Sequence, residues 1–461
     1  MENRRTPGRC IVALMFVICS VAISPTHALT SKSLSDFIDE EFGSAPAVPD
    51  GPLSPAMLFA ARVAFIDSTT LSVWDKNQQQ ALAAIAQSGD PRIVWIITDM
   101  LRFVSAKEPH DALVRTASEL LGKDFDSFLA WHNITNHLIA WDIPAPPDYL
   151  DYKAVIFTVN VPGWEELFIE GDIDWRLVSW GGVPIDNRPY NQYDPRCSGC
   201  IPAIDNPKVS SAEAAIWLRD DDMVFGITIN GESRAYPRQI MEVREMVNDT
   251  LGGRQLGIPY CTLCAAAQAF YTDDLPAGIE RPVLRTSGLL KRSNKVMYDL
   301  NTNSIFDTFL GRALTGPLAE KNVVLPQATV VTTDWKSWKE SNPNTTVVLQ
   351  RYALGRNPDF RNTRDANGPV FPIGKVDPRL PAQEDIVGAI TASGKPVAFP
   401  RGSAFIALSR GERVAFENIQ LQLDAGGLSA VDSDGNAWTT HQAFWFAWSQ
   451  FHPDSELWRQ P

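Results

Sequence analysis

Met223-Val-Phe-Gly-Ile-Thr-Ile229, Asn230-Gly231 and Glu232-Ser-Arg-Ala-Tyr236 form two apolar-rich runs on either side of a two-residue turn. Asn-Gly tolerates the positive φ angles of a type I′ turn, so this stretch predicts a β-hairpin. It marks the point where the chain changes period. From residue 206 onward short strands follow one another: Val296–Asp299 and Ser304–Phe306 around a turn, then Val397–Pro400, Ala404–Ser409, Arg413–Phe416 and Gln420–Leu423. The aromatic segment His441–Trp448 reads as a helix. Asp432-Ser-Asp-Gly-Asn436 resembles the start of a calcium loop, but Ala443 stands where such a loop needs Glu, so a hairpin turn is the better reading.

Before the hairpin the period is helical. Asp90-Pro91 predicts a capped helix start, with Ile93, Ile96, Ile97, Met100, Leu101 and Val104 on one face. Asp111 is the expected cap of the next helix, which Gly122 ends. A third helix is expected over 124–139. Ala154–Val159 reads as a strand. The expected fold class is therefore α+β: a helical N-terminal module with HEAT-like repeats, followed by a β-rich domain. Its parts are a leader at 1–28, an extended arm at 29–54, the helical module at 55–140, a crossover at 141–205 and the β-rich domain at 206–461.

The leader reading rests on Arg4, Arg5 and Arg9 ahead of the apolar run Cys10–Ile23, with Ala28 before a plausible cut. This is the pattern of a secretory signal peptide. The run is shorter than the ~20 residues a bilayer span needs. A periplasmic or secreted protein without stable membrane insertion is expected. The net charge of −13 disfavours a nucleic-acid partner, which requires a basic surface.

The segments Ile201–Pro207, Ile229–Pro237, Glu245–Asp249, Tyr260–Cys264, Ser287–Leu290, Val296–Asp299, Asp377–Pro381 and Phe444–Trp448 resemble, in this order, the bacterial domain of unknown function 3179 family. The resemblance runs from about Gly199 to His452 and implies kinship without a reaction. It also implies a departure, because relatives often carry His where this chain has Arg244.

Chemistry concentrates in four cysteines, Cys197, Cys200, Cys261 and Cys264, arranged as two C-x-x-C pairs. Two such pairs suit a four-thiolate site for Zn²⁺ or Cu(I). The same spacing suits a redox-active dithiol at Cys261 and Cys264. Cys261 would be the nucleophile if Ala265–Phe270 began a helix whose dipole favours a thiolate. In an oxidising compartment the four also suit structural disulfides, including cross-pairing between the two motifs. Ile201 and Ala265 follow the pairs, so neither is a haem-attachment motif. Metal binding, thiol–disulfide exchange and an interaction scaffold whose helical module binds a protein partner are the three functions this pattern leaves open.

Other residues carry weaker signals. Glu245, with Asn248 and Asp249, offers a carboxylate base near the cysteines or, alternatively, a polar turn. Ser287, Tyr298 and Asp299 lack the strand–Ser–helix context of a hydrolase. Arg351, Arg356, Arg361 and Arg364 suit a small anionic ligand or surface ion pairs. His132, His137, His441 and His452 are each more readily packed or capping residues than ligands.

Overall fold

The computed structural model describes residues 41–66, 74–192, 199–349 and 368–460. The leader, Cys197 and the arginines at 351, 356, 361 and 364 lie outside the described residues. Among those described, no helix is long and apolar enough to cross a membrane.

Among the described residues, the N-terminal part holds the α-helices Pro55–Phe65, Lys76–Ser88, Val94–Leu101, Lys107–Leu121, Ala130–Ala140 and Tyr149–Asn160. The Asp90 side chain accepts from Arg92 N at the expected start, and Gly122 ends its helix in the left-handed region at φ 63°. Asp111 does not cap: its helix begins at Lys107, and Asp111 sits one turn inside. The run 154–159 is helix rather than strand. Tyr149, Tyr152, Lys153, Ile156 and Phe157 recur at helical spacing and are buried together, which outweighs the β-branched residues among them. Lys153 donates to Asp99 at 2.6 Å and Tyr149 donates to Asp99 at 2.7 Å, pinning this helix to Val94–Leu101 through a buried ion pair.

The C-terminal part corrects the expected α+β division. Its described residues hold five small sheets in a β-propeller-like arrangement, with short helices between strands. Taking the sheets in turn, the first orders Val178–Trp180, Leu284–Lys291, Asn294–Asp299 and Ile305–Asp307. Arg254–Cys261 and Met246–Leu251 lie at the centre of the second, and the hairpin Met223–Ile229/Glu232–Pro237 lies in the third. The fourth is built on Asp385–Ile390/Pro396–Pro400, and the fifth on Ile419–Asp424/Gly427–Val431. The helices do not stack as a free-standing HEAT-like repeat. Their core runs without a break into the first sheet through Leu289, Val296, Tyr298 and Ile305. An amphipathic helix needs an apolar surface to cover, and the sheet supplies it.

Local readings hold where the turn chemistry is strong. Ile229 pairs with Glu232 across Asn230 and Gly231, at φ 50° and 82°. Asp432 accepts from the backbone of Asp434 and Asn436, closing the hairpin turn. Ala404–Ser409, by contrast, belongs to the helix Arg401–Ser409, and His441–Trp448 divides into the strand His441–Phe444 and the helix Trp445–Phe451.

The third and fourth sheets repeat one design. Each has a hairpin, then a Pro-Arg step into a helix (Pro237-Arg238 and Pro400-Arg401), then a later strand–helix–strand return. The returns align residue for residue: Trp335, Trp338, Pro343 and Thr345 match Trp445, Trp448, Pro453 and Ser455. Trp338 Nε1 donates to Thr345 Oγ1 at 2.9 Å, and Trp448 Nε1 donates to Ser455 Oγ at 2.8 Å. In both sheets a glycine on the hairpin makes room for the indole. A Cβ on Gly226 would meet Trp338 at 2.2 Å, and one on Gly388 would meet Trp448 at 2.2 Å. Gly226→Ala and Gly388→Ala should therefore each cost about 1–3 kcal/mol by overpacking, read as a lower urea midpoint. Gly402, with nothing within 4 Å of its Cβ position, is the control. Alanine there should be neutral or stabilising, since it removes a flexible residue from a helix.

Candidate functional site

The second C-x-x-C motif lies at the end of the strand Arg254–Cys261. The chain turns through Thr262 and Leu263, with Cys264 N donating to Cys261 O at 3.2 Å, and returns as the short strand Ala266–Ala267. Ala265 takes φ 50°, the left-handed residue that closes the turn. No helix follows, so the dipole expected to activate Cys261 is absent from this motif. A reversal this tight brings the two cysteines within bonding distance. Cys261 and Cys264 form a disulfide, with Cα atoms 5.3 Å apart.

This local bond overturns the cross-pairing between motifs. In this bonded state Cys261 and Cys264 are not the thiolates that a four-cysteine ion site would use. Cys200 is disulfide-bonded as well. Among the described residues no three His, Cys, Asp or Glu side chains stand together as metal ligands do.

Around the disulfide the fold assembles a polar pocket of about 160 Å³. Cys261, Thr262, Glu245, Lys295 and Thr286 line one part of it. Leu263, Leu289, Leu290, Ile201 and Phe371 line the apolar remainder. Each polar residue reaches the pocket from a different element. Glu245 follows the helix Arg238–Arg244 at φ 52°, a left-handed cap that turns it away from the helix. Its Oε1 accepts from Thr262 Oγ1 at 3.1 Å, and its Oε2 accepts from Lys295 Nζ at 2.9 Å. Lys295, on the strand Asn294–Asp299, also donates to Thr286 Oγ1 at 2.9 Å on the neighbouring strand. The Lys295–Glu245 pair is buried at 3% and 10% side-chain exposure, so water screens it weakly. On the far side of the bridge, Cys264 Sγ lies 3.1 Å from Asn294 Oδ1. Cys261 borders the pocket and Cys264 does not.

The other sequence candidates separate from this site. Asn248 bonds Asp205 and the backbone of Leu284, and Asp249 is held by Arg234 and Tyr236, so both brace the sheets. Arg244 is buried and donates to the Pro202 carbonyl. Ser287 bonds Val296 O, Tyr298 bonds Asp186 O, and Asp299 accepts from Val283 N and Thr302. His132 and His137 bond within their own helix. His441 and His452 both pack on Trp448. Lys295, Thr286 and Thr262 were not singled out from sequence. Lys295 carries no local signal except as a lone cation at the head of an apolar strand.

Five small sheets, with a disulfide and a buried carboxylate–ammonium pair at a shared pocket, define a propeller-like protein bearing a C-x-x-C disulfide. The chain belongs to the family described as "Protein of unknown function (DUF3179)", whose model matches residues 198–439, more than half of its length. No curated protein and no solved structure is significantly similar to it.

Proposed function

We propose that the protein exchanges thiols and disulfides through Cys261 and Cys264 in an exported, oxidising compartment. One observation carries this reading: the Cys261 side of the disulfide borders a pocket that also holds an ammonium and a carboxylate. Lys295 supplies the positive charge that favours a Cys261 thiolate, the role a helix dipole plays in other dithiol proteins. Glu245, reached through Thr262, is the proton acceptor. The leader pattern at 1–28 supports the compartment, where disulfides persist.

In the reduced form, Cys261 thiolate attacks one sulfur of a partner disulfide. That S–S bond breaks, and the departing sulfur leaves as a thiolate that takes a proton. Cys264 then gives up its proton and attacks Cys261 Sγ in the mixed disulfide. The Cys261–Cys264 bond re-forms and the second partner thiolate leaves, so two electrons have passed from the dithiol to the partner. Run in reverse, the same steps oxidise a partner dithiol.

Cys264→Ser removes the resolving thiol and should trap a mixed disulfide at Cys261 when the protein meets a chromogenic aryl disulfide. Cys261→Ser should trap none, because Cys264 does not border the pocket. Mass spectrometry of the adducts decides between them. If the Cys261–Cys264 bond yields to dithiothreitol only when urea unfolds the chain, the bridge is structural and the exchange reading fails.

A further inference from the structure

The pocket at Cys261 is small, and beside its lining residues Gly181 and Phe371 stands a cation with no carboxylate partner among the described residues. Arg102, from the helical module, packs against two indoles: its Cζ is 4.6 Å from the Trp131 ring centre and 5.1 Å from that of Trp180. Phe371, at 5.9 Å, closes a third side and also lines the pocket. Arg102 Nε donates to Trp180 O at 3.0 Å, which fixes the guanidinium in place. Gly181 lines the pocket too, and the next residue, Gly182, brings bare backbone up to the guanidinium. A Cβ there would stand 3.6 Å from Arg102 Nη2.

No carboxylate among the described residues lies within ion-pair distance of Arg102, in a chain that carries 54 acidic side chains. Burial alone pushes its pKa down, with no acid nearby to raise it. With Nε bonded to Trp180 O, the Nη1 and Nη2 end of the guanidinium is left, and that end can grip a carboxylate at two points.

We propose that the exchange partner at Cys261 is a small thiol or disulfide bearing a carboxylate, and that Arg102 holds this carboxylate at the pocket rim. The proposal rests on the exchange reading for its sulfur chemistry, but the anion site stands on its own geometry. A pocket of about 160 Å³ is below the ~300–1,000 Å³ of ordinary ligand sites, so it admits one sulfur-bearing arm and leaves the carboxylate outside.

Two measurements test it separately. The first is calorimetric binding of S-methylglutathione, which carries carboxylates and no reactive sulfur, to the oxidised protein. Wild type should bind it, Arg102→Gln should bind about tenfold more weakly, and Arg102→Lys, which keeps the charge but not the fork, should fall between. Circular dichroism confirms that each variant is folded. Equal binding by wild type and Arg102→Gln, or no binding by wild type, overturns the proposal. The second is oxidation of the reduced protein by glutathione disulfide and by neutral 2-hydroxyethyl disulfide. Wild type should favour the former, and Arg102→Gln should cut that preference about tenfold. An unchanged preference also overturns the proposal. If neither disulfide reacts at Cys261, the exchange reading fails, and the binding measurement alone decides the anion site.

Discussion

Replacing Arg285 by Met should cost about 3–5 kcal/mol of unfolding free energy, or leave the chain unable to fold. Arg285 is fully buried on the strand Leu284–Lys291. It donates to both oxygens of Asp205, at 2.8 and 2.7 Å, and lies 3.8 Å from Asp186. Asp205 belongs to the second sheet, while Asp186 follows the edge strand of the first, so one guanidinium ties the two sheets together. Asp186 is held further by Arg188 at 2.6 Å and by Ala203 N at 2.8 Å, just beyond Cys200 in sequence. Methionine fills much of the volume but leaves the Asp205 carboxylate buried with its main cation gone, which costs more than the pair contributes. Adding Asp205→Asn should recover part of the loss, because the stranded charge is then removed. Urea unfolding measures both. A single variant within 1 kcal/mol of wild type would show that this network does not bear on stability.

Acid should weaken the fold through its two C-terminal histidines. His441 is buried between Phe309 and Trp448, and burial pushes its pKa down to about 3. His452, which also packs against Trp448, is pushed down to about 4 for the same reason. An unfolded chain protonates both near pH 6.5. Their contribution is therefore complete above pH 6.5. It is lost as pH falls toward 4 and then 3, where the folded imidazoles also take up protons and the loss levels off. For His441 the slope is about 1.4 kcal/mol per pH unit within that window. Glu242 works the other way. Burial raises its pKa to about 7, so between pH 7 and the ordinary carboxylate range it adds stability as pH falls. A difference measurement separates the two. The stability of His441→Phe, which keeps a ring but cannot titrate, should depend less steeply on pH below 6.5 than that of wild type. Parallel pH profiles for the two proteins would reject this role for His441.

Parts of this architecture can be read one residue at a time. Asn230-Gly231 and the Asp432 turn depend on their own φ preferences and side-chain acceptors, and the tertiary fold left them unchanged. Ala154–Val159 and Ala404–Ser409 were misread because β-branched and apolar runs are ambiguous over six residues, and the surface they cover decides between helix and strand. The matched returns around Trp338 and Trp448 were present in the sequence as identical spacing. They become meaningful once Gly226 and Gly388 are seen to lie beneath the two indoles. Glu245 was singled out from its place near the cysteines, but its partners Lys295, Thr262 and Thr286 come from three other segments that only folding brings together.

By itself the sequence determined what short-range chemistry can determine: helices early, hairpins late, two cysteine pairs at metal-like spacing and kinship to a family without a known reaction. Tertiary structure decided how the second pair is used. The turn after Cys261 folds back as a strand, so its two sulfurs meet each other. Whether a thiol faces a partner, an ion or a pocket depends on distances across the chain, and sequence spacing carries no such distances.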